Sequence, residues 1–422
     1  MELKPGYKKT EVGVIPEDWD VRKIREVCKL INGRGFKPHE WGSRGLPIIR
    51  IQNLNGSEEF NYFDGTFNDK ILVENGQLLF AWSGSRGTSF GPHIWRGQAA
   101  VLNYHIWKIN VSDQGVNPVF FYYALRHLTE FIEENAHGAS ALVHTQKWEM
   151  EGFDVAIPPR TSEQEAIAEA LSDVDASIAA LARLIAKKRD LRHGAMQRLL
   201  TGQTRLPGFT APWQEKRLGQ LGDIRSGGTP STADPAFWDG GIPWCTPTDI
   251  TALSGRKTLH ATARSISARG LSASSAEVIP PRSLIMTSRA TIGACAINSI
   301  PMTTNQGFKN IVPNGETDVD FLYYLMGAQT ARLIALCGGS TFLEFGKKQL
   351  SAFEVVLPDN KVEQTAIAAV LSDMDAEIDA LDARLEKTRA LKQAMMQALL
   401  TGRVRLPVRR DAATKTQEAA FA

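Results

Sequence analysis

One segment of this 422-residue chain occurs twice, offset by 200 positions without a gap. The first copy runs from Ile157 to Pro207 and the second from Leu357 to Pro407, with about half the positions identical. A repeat of this kind constrains the fold more than any local pattern, because each copy must build the same supersecondary unit. Each copy reads as one long helix. Pro158 and Pro159, or Pro358, bar helix before it, and Gly202 or Gly402 stops it about 38 residues later. Thr161 or Ser162 offers a cap to the first copy, and the second shows no clear capping residue. Apolar residues then step by four and three through Ile167, Leu171, Val174, Ile178, Leu181 and Ile185. The second copy gives Ile367, Leu371, Met374, Ile378, Leu381 and Leu385. That is a heptad seam. Two such seams with no other partner predict that the two helices pair with each other. Acidic residues lead the first helix and basic ones close it, as the helix dipole favours.

The segments before the helices correspond more faintly. Trp19 aligns with Trp213, Gly33 with Gly227, Asn103 with Asn305, and Tyr122-Tyr123 with Tyr323-Tyr324. Gly138, Ser140, Lys147, Phe153 and Val155 align with Gly338, Ser340, Lys347, Phe353 and Val355. The predicted order is globule (1–156), helix (157–204), globule (205–356) and helix (357–408), with a disordered tail at 409–422. Short apolar runs at Leu46–Ile51, Gln77–Trp82 and Ser283–Thr287 read as strands, and Val119–Glu134 and Phe321–Cys337 as helices. The fold class expected is α+β: two mixed α/β globules separated by two long paired helices.

Composition narrows the function classes. The chain is 43% hydrophobic and 22% charged, and no apolar run approaches the length of a bilayer span. The N-terminus has neither an apolar core region nor a cleavage site, so a cytoplasmic location is expected. Cys28, Cys245, Cys295 and Cys337 form no close pair, which points to free thiols rather than a zinc site. The net charge of +2 and pI near 8.3 require local patches if the partner is a nucleic acid.

Reaction machinery is not legible. There is no G-x-x-x-x-G-K-[ST] phosphate loop, Gly346-Lys347-Lys348 lacking the upstream glycine and the hydroxyl. Ile157-Pro158-Pro159-Arg160 lacks both ends of an adenine-methyltransferase motif. The histidines are scattered, and His137 and His144 read as surface or structural groups. No catalytic residue and no metal ligand is assigned.

The repeat also carries a resemblance. Pro158 to Glu163-Gln164 and Pro358 to Glu363-Gln364, followed by heptads ending in Leu199–Gly202 and Leu399–Gly402, resemble the conserved regions of type I restriction-modification specificity subunits. Tyr7-Lys8-Lys9-Thr10 through Ile15-Pro16-Glu17-Asp18-Trp19 resembles the usual start of that family. The resemblance covers about residues 5–408. It implies that each globule is a target recognition domain reading one half of a bipartite asymmetric site on double-stranded DNA, and that the two helices form an antiparallel coiled coil that spaces the globules. It further implies that two methyltransferase subunits dock on the chain to methylate adenine N6, and that two restriction/motor subunits join them. S-adenosylmethionine, ATP and magnesium would sit on those partners and no cofactor on this chain. A helix of about 38 residues is about 57 Å long, which suits two half-sites roughly one DNA turn apart.

Base reading needs polar side chains on loops that reach the groove edges. The first globule offers Arg34 and Lys37 in a Gly-rich turn, and Arg50, Gln52 and Asn53 after a strand. Ser83, Ser85 and Arg86 follow in the next loop, with Trp82 as a stacking group, and Asn103 lies beyond. The second offers Thr229, Ser231, Thr246, Thr248, Asp249, Ser288, Arg289, Thr291, Asn305 and Gln306. Lys147, Lys347 and Lys348 are the phosphate contacts. Two other readings stay open at this level: a self-contained DNA methyltransferase or nuclease, which would bind S-adenosylmethionine or ATP alone, and a coiled-coil interaction protein without a DNA role.

Overall fold

Both duplicated segments fold as single unbroken helices. A computed structural model, which describes residues 5–135, 142–337 and 344–407, places them at Thr161–Leu199 and Lys361–Leu400, 39 and 40 residues long. The second helix does have a cap: the Asn360 side-chain oxygen accepts the Val362 N–H at 2.8 Å. Its place in the first copy is taken by Arg160, so the repeat pattern hid it. Both helices end where expected, with Gly202 and Gly402 at φ +72° and +64°, the left-handed region that favours glycine.

The chain divides into two units, and the division falls inside both helices. One unit holds the residues up to Leu181 together with those from Arg384 onward, and the other holds Ala182–Ala383. Within each unit, half of one helix packs antiparallel on half of the other. In the first unit, Ile167, Ala168 and Leu171 share a core with Met396, Leu399 and Leu400, and Asp175 pairs with Lys392 at 2.6 Å. In the second, Lys188 pairs with Glu377 and Arg192 with Asp375, so one strand of the pair rises as the other falls. Of the seam, Ile167, Leu171, Leu181, Ile185, Ile367, Leu371, Ile378 and Leu385 are buried, while Val174, Ile178, Met374 and Leu381 are half-buried.

The globule of the first unit has a four-stranded antiparallel sheet in the order Gly91–Ile94, Leu78–Ala81, Ile106–Val111, Cys28–Asn32. The amphipathic helix Pro118–Asn135 packs on it through Phe120, Phe121 and Leu125. A second sheet, ordered Tyr62–Phe63, Leu46–Ile49, Ala100–Leu102, Leu72–Val73, has its own core around Ile48, Ile49 and Val101. The globule of the second unit repeats the plan. A five-stranded sheet runs Gly222–Ser226, Lys309–Pro313, Leu284–Met286, Cys295–Asn298, Thr258–Leu259, and a smaller one runs Arg264–Ile266, Trp238–Cys245, Thr303–Thr304. The helix expected over Phe321–Cys337 is two, Val319–Ala328 and Thr330–Leu336, separated at Gln329.

Each globule is zipped shut just before its long helix. Asp20–Lys23 pairs antiparallel with Asp154–Ile157, and Gln214–Arg217 pairs in the same way with Glu354–Leu357. The four cysteines are free thiols, and burial pushes Cys28 up to about 12. His137, the aligned pairs Gly138/Gly338 and Ser140/Ser340, and the tail 409–422 lie outside the described residues.

Candidate nucleic-acid interface

Backbone hydrogen bonds gather the nominated loops of each globule at one place. In the first unit Arg34 N–H donates to Leu102 O (2.8 Å), Asn103 N–H to Ile49 O (3.1 Å), Trp82 N–H to His105 O (3.2 Å) and Thr145 N–H to Trp82 O (3.0 Å). The turn at Gly33–Lys37, the segment after Ile49, the loop from Trp82 and the residues around Asn103 and Lys147 therefore meet. In the second unit Gly228 N–H donates to Thr304 O (2.9 Å), Asn305 N–H to Cys245 O (3.0 Å), Ser288 N–H to Gly307 O (2.8 Å) and Phe345 N–H to Ser288 O (3.2 Å). The approach is close enough to require glycine. A Cβ on Gly33 would lie 2.0 Å from the Asn103 carbonyl oxygen, and one on Gly227 1.8 Å from that of Asn305. The faint alignment of these glycines and asparagines thus reflects one crossing built twice.

Within that setting the side chains differ in what remains open to a ligand. Asn53 is buried with its oxygen taken by Arg50 N–H and its amide by Ser57 and Glu59 carbonyls. Asp249 is likewise buried, accepting from Thr246 and from Ala263 N–H. Their polar atoms hold loops rather than face outward. Arg34 pairs with Glu40 and stacks over Phe36 and Phe63, and Arg50 lies 5.3 Å from the Trp41 ring centre. Thr229 donates to Gln306, Gln52 to the Glu59 carbonyl, and Ser231 accepts from Ala233 N–H. Ser83 and Ser85 sit on a strand paired with Leu142–His144, Asn103 and Ser288 are buried, and Asn305 accepts from Gly307 N–H. Lys147 pairs with Glu151 at 3.6 Å. Lys37, Arg86, Thr248, Thr291, Lys347 and Lys348 are exposed, and Arg289 is half-buried; none of the seven has a side-chain hydrogen bond or ion pair among the described residues.

Three residues of these two loop clusters carry no sequence signal. Tyr104, 48% exposed, rests on His105 with ring centres 3.8 Å apart, and His105 meets Trp82 at 5.3 Å. Glu344 stands beside Arg289 across an isolated bridge. Their neighbours Asn103 and Lys347 are legible in the sequence, but only the chain crossings show that Tyr104 and His105 belong to the first loop cluster and Glu344 to the second.

The Glu-Gln pair of each repeat has a structural role. Gln164 donates to the Pro158 and Gly115 carbonyls and accepts Asn117 N–H, tying the helix start to its own globule. Gln364 does the same with Pro358, Glu316 and Asp318. Buried Glu163 receives a forked pair of bonds from Arg405 (2.8 and 2.5 Å), and buried Glu363 receives one from Arg205 (both 2.7 Å). Each arginine closes the opposite repeat, so the motif stitches one copy to the other within each unit. Tyr123 and Tyr324 complete the clasp, donating to Asp175 and Asp375 at 2.9 and 2.6 Å, with burial holding both phenols above their ordinary range. Among the described residues no group of three or more His, Cys, Asp or Glu is placed to hold a metal ion, and no helix is long and apolar enough to cross a membrane.

Comparison with known proteins places these features in context. The model of the type I restriction modification DNA specificity domain matches residues 16–187 and again residues 211–388. The putative type I restriction enzyme MjaX specificity subunit of Methanocaldococcus jannaschii is 25% identical over 429 residues, covering 95% of this chain and 97% of that one. The MjaIX specificity subunit of the same organism is 37% identical over 167 residues, which is 39% of this chain and 38% of that protein. Among solved structures, the type I restriction-modification system S subunit from M. genitalium shares the fold with a TM-score of 0.58 at 18% identity, over 94% of this chain and 98% of that one.

Proposed function

The chain belongs to the type I restriction modification DNA specificity family, and on that premise we propose that it reads a bipartite, asymmetric DNA site, one half per globule, while its paired helices hold methyltransferase subunits. The observation that carries this reading is the twice-built loop cluster: one backbone crossing, at Gly33–Asn103 and at Gly227–Asn305, furnished with different side chains. A shared scaffold gives both heads the same way of approaching a groove, and unlike side chains make the two half-sites differ. The helices, each continuous across the division between the units, set the separation of the half-sites. Adenine N6 methylation with S-adenosylmethionine belongs to two docked methyltransferase subunits, and ATP- and magnesium-dependent translocation and cleavage to two motor subunits bound through them. The chain itself binds none of these cofactors, is not an enzyme, and works in the cytoplasm.

The test is an exchange of residues 208–356 for the corresponding segment of another family member, in the complex with its methyltransferase partners. Sequencing of methylated DNA should show one half of the motif replaced and the other retained. An unaltered motif, or tight S-adenosylmethionine binding by the isolated chain, would count against the assignment.

A further inference from the structure

The two loop clusters share the same backbone crossing yet differ in chemistry. Ser83 pairs across its strand with His144, and the matching position in the second globule pairs Arg289 with Glu344. Trp82, which precedes Ser83, corresponds to Ser288, and Tyr104, which follows Asn103, corresponds to Gln306. In the first globule the place is therefore an aromatic step, Tyr104 on His105 on Trp82, locked by the Trp82 Nε1–H bond to the Tyr104 carbonyl at 2.9 Å. In the second it is a cation. Arg289 crosses tightly over Gly307, where a Cβ would come within 2.8 Å of its Nε. The nearby carboxylate of Glu344 is 3.8 Å from the ammonium of nearly buried Lys309, and Arg289 itself has no hydrogen bond or ion pair among the described residues. Lys309 thus takes the negative charge and leaves the forked guanidinium open.

We infer that this equivalent position discriminates bases in both globules, with Arg289 reading a guanine in one half-site and the Tyr104 step making apolar contact with a thymine methyl in the other. The inference rests on the proposed function and deepens it by assigning base chemistry. A guanidinium donates two parallel bonds to guanine O6 and N7 in the major groove from a rigid planar fork; a lysine ammonium can reach the same atoms but without that fixed geometry. An exposed aromatic face offers no such donors, and the thymine C5 methyl is the one apolar feature of the groove edge.

The experiment uses the full chain assembled with its methyltransferase subunits in a host free of other N6-adenine methylation, and maps methylated sites by sequencing. The unsubstituted complex should yield a bipartite motif; if it yields none, the proposed function itself falls. With Arg289→Ala, discrimination at one G·C position should drop on the order of tenfold to a hundredfold while the other half-site is unchanged. Arg289→Lys, which keeps the charge but loses the fork, should relax the same position by a smaller factor than alanine and supplies the readout if the alanine variant fails to assemble. Tyr104→Ala should relax one A·T position in the opposite half. An unchanged motif in the arginine variants, a uniform loss across all sequences as a phosphate contact would give, or a second half-site without any G·C pair would each overturn the inference.

Discussion

At the scale of single residues, the repeated Glu-Gln pair shows how little of a side chain's role lies in its neighbours along the chain. Glu363 is 2% exposed, and its charge is balanced by Arg205, 158 positions away, with Trp213 Nε1 at 3.2 Å. Removing one partner of a buried pair leaves an uncompensated charge, at a cost of about 3–5 kcal/mol. Arg205→Ala should therefore lower the unfolding free energy obtained from urea titration by about 3 kcal/mol, the lower end of that range, because Trp213 remains as a donor. Arg405→Ala should likewise destabilise through buried Glu163, which has no matching tryptophan bond, since Trp19 Nε1 has no hydrogen-bond partner among the described residues. A loss below about 1 kcal/mol in both would show that water reaches these carboxylates. The identical arginine in both copies, at 205 and 405, was a visible signal of this pairing; its target was not.

At the scale of elements, the heptad pattern was legible because burial of one stripe needs regular spacing. The spacing does not reveal which stretch of the opposite helix each residue meets, nor that the globules cover the ends. Leu171 is fully buried in a core that includes Trp19, Phe120 and Leu399, so it serves globule and helix pair together. Leu171→Ala, and equally Leu371→Ala, should cost about 2–5 kcal/mol through the cavity left behind. Leu191, 49% exposed on the same helix, should cost within about 0.5 kcal/mol when replaced by alanine. Equal effects at Leu171 and Leu191 in chemical denaturation would mean that the helices are packed along another stripe. The split of the second globule's helix at Gln329 is not legible in the sequence, since no proline marks the break between Ala328 and Thr330.

At the scale of the whole molecule, the proposed spacing role of the helices has a quantitative consequence. Seven residues inserted into each helix, in register with the heptads, add about 10 Å at about 1.5 Å per residue, or about three base pairs of DNA at about 3.4 Å each. Methylome sequencing of such a complex should show both half-sites unchanged and the unread spacer longer by about that number; an unaltered spacer would remove the helices from that role. The duplication, the two long helices and the α+β class were determined by the sequence alone, because periodicity and repetition are properties of the chain in one dimension. The tertiary structure decided which polar loop residues are already spent inside the protein, as Asn53 and Asp249 are, and which stand open, as Arg289 and Tyr104 do. That difference depends on how each loop folds back on itself, since Asn53 bonds Arg50, Ser57 and Glu59 and Asp249 bonds Thr246 and Ala263, and residue type alone does not encode those loop conformations.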